Sequence, residues 1–513
     1  MHDRPLIPTM LVFALACGGG EGGSTSFDTD DPSAGASEGE NGGPGGEGGP
    51  AGEGGTEASD SDPSEGSDSA SEGESGDSDT AVDPPACAPQ AAFDEGITPT
   101  AEVHVSPSGS DGGGCGTEGS PCASLDFAIS LAAPGTAIRL HEGTYAGGAW
   151  IDGLAGTAEA PIWIGGVEGE ARPVFEGGPV AFTLRTPQYV VVHDLEVQNT
   201  EQDGINIDDG ALVDDPTAAQ YVVVRNIAIR SVGTGSNNDC LKLSGLNEFV
   251  VMDSDFSGCG GGLAGSGIDM VGCHNGVVRG NLFHDMVESG NAVQTKGGSE
   301  NVEIRGNRFE DAGSRALNLG GSTGFEYFRP SLDPAGENAE ARNIRAIANV
   351  LVGSDSPIAF VGCTGCLAAH NTIVNPRMWV FRVLQETPSA GEYTFAQSGN
   401  NRIVNNIVYF QRGGLSTVMN VGGDTAPQTF TIENNLWFAH DAPDQSDPSG
   451  ELPVAESSPV VGSDPMLVDA SGADVHVMDG SPAIAAGVAV VEAPGDYEGT
   501  CYDDPPTIGA WAP

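Results

Sequence analysis

Lysine is almost absent from this chain, and both lysines stand where they could do chemistry. Of 19 basic residues, 17 are arginines and two are Lys242 and Lys296. Guanidinium keeps its proton, whereas a lysine can lose it where the surroundings disfavour charge and then act as a base. A composition biased towards arginine would also leave two lysines by chance. Lys242 is the middle residue of an apolar–x–apolar triplet, one of a series: Ile205-Asn206-Ile207, Leu241-Lys242-Leu243, Ile268-Asp269-Met270, Val293-Gln294-Thr295, Leu317-Asn318-Leu319, Ile358-Ala359-Phe360 and Phe381-Arg382-Val383. Strand residues alternate faces, so the middle residues are predicted to form one outward column, with Asp208, Ser244 and Lys296 two positions further along the same face. Lys242 then has Asp269 one step away, which favours a structural ion pair. Lys296 is expected to have uncharged Gln294 and Asn318 as neighbours, with Gly297-Gly298 leaving room for a substrate. Arg315 is assigned an inward direction by parity unless it sits at a corner.

Oxygen-rich turns are the second chemical feature. Asp203, Asp208, Asp209, Asn237, Asn238 and Asp239 could gather a cation if their turns stack, with Asp208 and Asp239 as candidate ligands and calcium as the candidate ion. Capped turns in an acidic chain are the simpler account of them. Two long insertions, 321–342 with Tyr327 and Arg329 and 376–400 with Arg377, Trp379, Arg382 and Glu386, could overhang a site or serve as a flap. Cys363-Thr-Gly-Cys366 has no second half-site for zinc and reads as a local disulfide. His193 beside Asp194 reads as a corner histidine. The chain has no HExxH or P-loop, and no GxSxG or GxGxxG in the strand–turn–helix context that would give it meaning.

The elements that must position these residues repeat. The phrases VVVHDLEV, VVVRNIAI, VVRGNLF, VEIRGNRF, RAIANVL, AAHNTI, IVNNIV and TIENNLW place Asn or Asp at 194, 226, 281, 307, 349, 371, 406 and 435, with Ser254 in the intervening slot. The steps, mostly about 22 to 35 residues, have the period of a solenoid. Short β-branched runs bounded by Gly, Asn and Ser read as strand–turn–strand, and no single coil can bury its apolar face. The expected fold is all-β: a right-handed parallel β-helix of about nine or ten rungs. Its recurrent Asn would tolerate left-handed backbone and hydrogen-bond along the stack.

The formal net charge is −54 with 77 glycines in 513 residues, which argues against nucleic acid as a partner. Residues 18–90 are expected to be a disordered acidic tether of Gly, Glu, Ser, Asp and Pro. Before it, a short polar start, the apolar run Leu6 to Ala16 and Ala14-Leu15-Ala16-Cys17-Gly18 resemble a bacterial lipoprotein signal, which implies cleavage before Cys17, lipid on its sulfur and a bacterial outer-membrane or cell-surface location. An ordinary secretory signal could also end here. Nine cysteines follow. Export makes pairing the default, with Cys115–Cys122 and two of Cys240, Cys259 and Cys273 as expected pairs and one thiol left over.

Residues 101–145 read as strand, Gly-rich loop, a cap helix over 124–133, Pro-Gly, strand and GTY. This segment resembles the N-terminal cap of secreted β-helix proteins of the pectate-lyase-like superfamily, and DPMLVD, DVHV, GSPAIAAG and PTIGAWAP resemble their C-terminal tail. The resemblance spans about 100–513, expected to form one β-helix domain. Within it, 291–321 (NAVQTKGGSENVEIRGNRFEDAGSRALNLGG) resembles a strip of the alginate- and dermatan-cleaving lyases. It implies Lys296 as the catalytic base. Asn318 stands at the family's catalytic Arg, with Arg315 as a substitute cation, and Ser289 and Asn291 stand at two calcium-binding Glu. Asp239-Cys240-Leu241-Lys242-Leu243 resembles the Lys strand of another pectate lyase family, making Lys242 a second candidate.

Such a lyase removes the proton α to a uronate carboxylate, so it needs a base and something to neutralise the enolate. Gln294, Asp269, Tyr327, Arg329 and Arg382 are then the expected substrate-binding residues, and an acidic polysaccharide the expected partner of a monomeric protein. A non-catalytic glycan-binding or structural surface lipoprotein is the alternative. Mass spectrometry of host membrane fractions should find lipidated Cys17 as the mature N-terminus; an unmodified peptide spanning Ala16 to Gly18 would contradict the anchor.

Overall fold

The computed structural model describes residues 87–512 apart from 236–237, 261–263 and 472–473. Cys17, the signal segment 1–17, the tether as far as residue 86, and Asn237 lie outside the described residues. The chain coils through three long sheets of 15, 10 and 12 strands, paired in parallel along their length. Each coil adds one short strand per sheet, so sequence-distant valines stack, as Val192, Val224 and Val251 do. Inside, Phe256, Phe283 and Phe309 form an aromatic column with centroids 5.0 and 4.9 Å apart. One core runs from Val103 to Ala439, the continuous interior that stacked coils require.

The recurrent corner divides its work between two residues. Left-handed backbone falls at Asp194, Asn226, Asp253, Gly280, Gly306, Ala348, His370, Asn405 and Asn434. The residue after each points inward. It is Leu195, then Ile227, then Ser254, and from Asn281 onward it is asparagine, fully buried. Each amide oxygen accepts from the Asn one coil earlier: Asn281 donates to Asn307 at 3.0 Å, Asn307 to Asn349 at 3.1 Å, Asn349 to Asn371 at 3.0 Å, Asn371 to Asn406 at 2.9 Å and Asn406 to Asn435 at 2.8 Å. Ser254 N–H starts the ladder on Asn281, and the Glu456 carboxylate ends it by accepting from Asn435 at 2.8 Å. The alignment of 194 and 226 with the later asparagines is therefore corrected by one residue: those two hold the bend and do not enter the ladder.

Ser124 caps a helix at Leu125–Ile129, shorter than expected, which buries Leu125 and Ala128 over the open end. The tail folds back outside the coil, where Leu467, Val475 and Trp511 pack on Val350 and Val374. The last residues assigned to the tether, 87–90, belong to the folded part, because Cys87 is joined to Cys501. Beyond them Asp94 pairs with Arg225 at 2.7 Å. The remaining bridges are Cys115–Cys122, Cys240–Cys259 and Cys363–Cys366, and Cys273 is a buried free thiol. Among the described residues no helix is long and apolar enough to cross a membrane.

The ladder makes a sharp demand. Asn349→Ala leaves the buried Asn307 backbone N–H without its acceptor and takes one of three acceptors from its side-chain amide, and should cost about 2–4 kcal/mol in denaturant unfolding. A loss below about 0.5 kcal/mol would show that the ladder is not stabilising.

Candidate functional site

The ten-stranded sheet carries the expected outward column. Register pairs Asn206 with Lys242, Lys242 with Asp269, Asp269 with Gln294, Gln294 with Asn318, Asn318 with Ala359 and Ala359 with Arg382. The parallel column of Asp208, Ser244 and Lys296 also forms, with Val271 between the last two. In the middle of this face a groove is lined by Ser266, Ser289, Asn291, Gln294, Lys296, Ser314, Arg315, Asn318 and Glu386, among others. Ser289 and Asn291, at the positions of the family's calcium-binding Glu, are therefore in it.

Two expectations about its cations are corrected. Lys296 is not free of carboxylates: its Nζ lies 3.3 Å from Asp269 Oδ1, because its side chain leans diagonally onto the neighbouring strand, towards the column. Arg315 does not point inward. It starts its strand at the groove's edge, donates to Glu386 at 2.7 Å from the second insertion and to Asn318 Oδ1 at 3.3 Å, and so joins Lys296 in one groove. Asn318 in turn donates to Gln294 Oε1 at 3.3 Å, which also accepts from Asn291 at 2.7 Å. The glycines after Lys296 admit protein, not substrate. A Cβ at Gly298 would stand 2.6 Å from the Arg329 carbonyl oxygen, and one at Gly297 would stand 3.2 Å from Thr323.

Lys242 is structural. Its Nζ donates to Asp239 at 2.8 Å and Asp269 at 2.7 Å. Burial opposes its charge, but Asp239, Asp269 and Asp203 hold its pKa well above the usual lysine value. Burial likewise opposes ionisation of Asp269, but the two ammonium groups outweigh it and hold the carboxyl down to about 2. Asp203, at the rim of the same cluster, is pushed up to about 7 by burial and by the charge of Asp239.

The calcium expectation is not supported by the arrangement of its ligands. Asp208 ends its strand, where it accepts from Asn206 and the Gly210 N–H, both at 2.7 Å. Asp239 precedes the next strand and is engaged by Lys242 and the Ser266 N–H. The two thus sit at opposite ends of paired strands, each already satisfied, and do not converge on an ion. Of the insertion residues, Arg329 forms a buried two-pronged pair with Asp209 at 2.6 and 3.1 Å, and Tyr327 lends its carbonyl to the same guanidinium at 2.8 Å. They anchor the insertion and do not line the groove, which corrects their assignment to substrate. Arg382 does point outward, stacked 4.4 Å above Trp379 and donating to Asn420. It lies two coils beyond Asn318.

The insertions pack on each other through Phe325, Phe328, Tyr393 and Phe395. Beneath them sits a residue that no sequence pattern singles out. Glu340 is fully buried, and burial pushes its carboxyl above the usual range against the pull of its hydrogen-bond donors. Gly297 N–H, Thr323 N–H and Thr323 Oγ1 donate to it at 2.8, 2.8 and 2.7 Å, and Thr387 Oγ1 donates as well. A lone Glu in an Ala/Asn/Arg context carries no spacing signal.

Comparison with known proteins decides the fold. A family model described as a right handed beta helix region matches residues 178–327. The chain is similar to the crystal structure of pectate lyase Pel9A at a TM-score of 0.51 and 16% identity, over 81% of this chain and 97% of that one. The chain is a right-handed parallel β-helix. Its fold is that of pectate lyase Pel9A. This β-helix is also similar to an alginate lyase from Paenibacillus sp. str. FPU-7 (TM-score 0.40, 16% identity, 64% of this chain and all of that one) and to XylC in complex with xylose (0.44, 10%, 80% and 98%), scores that add nothing to the fold assignment. No curated protein sequence matches the chain.

The two lysines should separate in stability. Lys242→Met strands two buried carboxylates and should cost about 3–5 kcal/mol, whereas Lys296→Met leaves Asp269 its shorter contact with Lys242 and should cost clearly less. Equal losses in denaturant unfolding would contradict the division into a structural and a site lysine.

Proposed function

We propose that this β-helix is a polysaccharide-active protein that cleaves a uronate-containing glycan by β-elimination. In this proposal it is exported and anchored through Cys17 at the outer membrane or surface of a bacterium, and acts as a monomer. The observation that carries the reading is the meeting of Lys296 and Arg315 in one groove. Lys296 carries the lighter electrostatic obligation of the two lysines: one carboxylate, shared, at 3.3 Å, against two at 2.7 and 2.8 Å for Lys242.

In the reaction, Lys296 Nζ as the neutral amine takes the proton from the carbon α to the uronate carboxylate. The electrons of that C–H bond form the new C=C bond. The C–O bond to the leaving sugar breaks, and its oxygen keeps the electron pair and takes up a proton. Arg315, held by Glu386 and Asn318, stabilises the charge that develops on the carboxylate. Gln294 and Asn318 offer amides to sugar hydroxyls, and Asp269 orients Lys296. A second reading, a non-catalytic glycan-binding surface protein, is favoured by one observation: Lys296 stands 3.3 Å from the Asp269 carboxylate, the contact of a charge-bearing binding residue.

The test is a panel of uronate polysaccharides read by the ultraviolet absorbance of unsaturated ends. At least one should be cleaved. Lys296→Ala and Lys296→Arg should each lower kcat by about 10²-fold or more with folding intact, and Arg315→Ala by a comparable factor. Retention of activity by Lys296→Arg would make Lys296 a substrate-binding cation and end its role as base. Binding without cleavage by the wild type would establish the second reading.

A further inference from the structure

We propose that Glu340 is the positioning residue for both cations of the groove, an inference that rests on the reading of Lys296 and Arg315 above. One arm runs through the first cation. The Glu340 carboxylate accepts the Gly297 N–H at 2.8 Å, and its own backbone carbonyl accepts the Gly298 N–H at 2.9 Å, so the two residues that follow Lys296 are both pinned to Glu340. The other arm runs through the second cation. Thr387 Oγ1 donates to the same carboxylate, and its neighbour Glu386 holds Arg315 at 2.7 Å. Thr323 joins from the first insertion with both its N–H and its hydroxyl. A single buried side chain therefore sets the turn after the candidate base, the ion pair that aims the candidate electrophile, and the roots of both insertions.

The chemistry requires a carboxylate there. Each oxygen accepts one backbone N–H, Gly297 on Oε2 and Thr323 on Oε1, and each also accepts one hydroxyl. The hydroxyls can turn round to accept, but the two N–H groups cannot. An amide in this place must aim its NH₂ at one of them, whichever way it is flipped. Among the described residues no cation is hydrogen-bonded to Glu340; the Lys296 charge acts on it only from a distance.

Glu340→Gln in the full chain tests this by amide hydrogen exchange, which needs no substrate. Exchange at Gly297 or Thr323, and across 321–342 and 376–400, should rise by about tenfold or more, while the buried backbone beside the asparagine ladder keeps its protection. Thr387→Val, a milder change that preserves the fold, should loosen 376–400 and leave Gly297 protected. Unchanged exchange at both Gly297 and Thr323 in Glu340→Gln would overturn the proposal. A uniform rise along the whole coil would do the same, since it would mark Glu340 as a general stability residue. If the wild type cleaves a polyuronate, Glu340→Gln should lower kcat by about tenfold or more with KM little changed, and an unaltered kcat would overturn the positioning role. If no polysaccharide is cleaved, the lyase reading fails while the exchange experiment still decides whether Glu340 holds both arms.

Discussion

Parallel stacking leaves a coil almost no freedom of register, and that constraint organises the whole molecule. A strand that slipped by one residue would turn its apolar residues outward and its polar ones inward. The asparagine ladder adds a second lock on the inside. Each amide bonds to the coils before and after it, so an isolated slip would strand buried donors. Once the interior is fixed in this way, the exterior follows. Residues far apart in sequence, such as Lys242, Asp269 and Gln294, come to stand about 4.8 Å apart on one face, with no loop needed to bring them together.

Electrostatics then decides which members of that face remain available. Asp269 is buried between two ammonium groups. A buried carboxylate needs compensation, and Lys242 supplies it at the shorter distance while also engaging Asp239. This makes Lys242 a closed unit and leaves Lys296 facing the groove. The same logic explains the insertions. The Arg329–Asp209 pair, the Glu340 hub and the interlocked aromatic rings tie long loops to a rigid surface, so the groove's walls are as fixed as its floor.

Much of the fold was legible in the sequence, because it is written in repetition. The apolar–x–apolar triplets gave the outward column residue by residue, and all seven middle residues pair in order, with one register shift after Gln294. The corner motif was found but misaligned at Asp194 and Asn226, since asparagine suits both a left-handed bend and a buried ladder. The site was half legible. Lys296, Gln294 and Asn318 follow from strand periodicity. Arg315 was misdirected because parity fails at a strand's first residue, where the turn sets the direction. The Lys296–Asp269 contact was missed because ladder reasoning sees strand positions, while a long side chain reaches diagonally. Glu340, Thr387 and the Arg329–Asp209 pair come from insertions without a period, and only three-dimensional packing reveals them.

The central claim is that the outer face of the ten-stranded sheet, around Lys296 and Arg315, receives a glycan. Amide hydrogen exchange of the intact protein with and without a soluble polyuronate tests it directly. Protection should appear at Gln294 to Lys296, at Arg315 to Asn318 and in 376–400, and nowhere on the face covered by the C-terminal tail. Protection confined to that opposite face, or a uniform pattern with no localised change, would contradict the account.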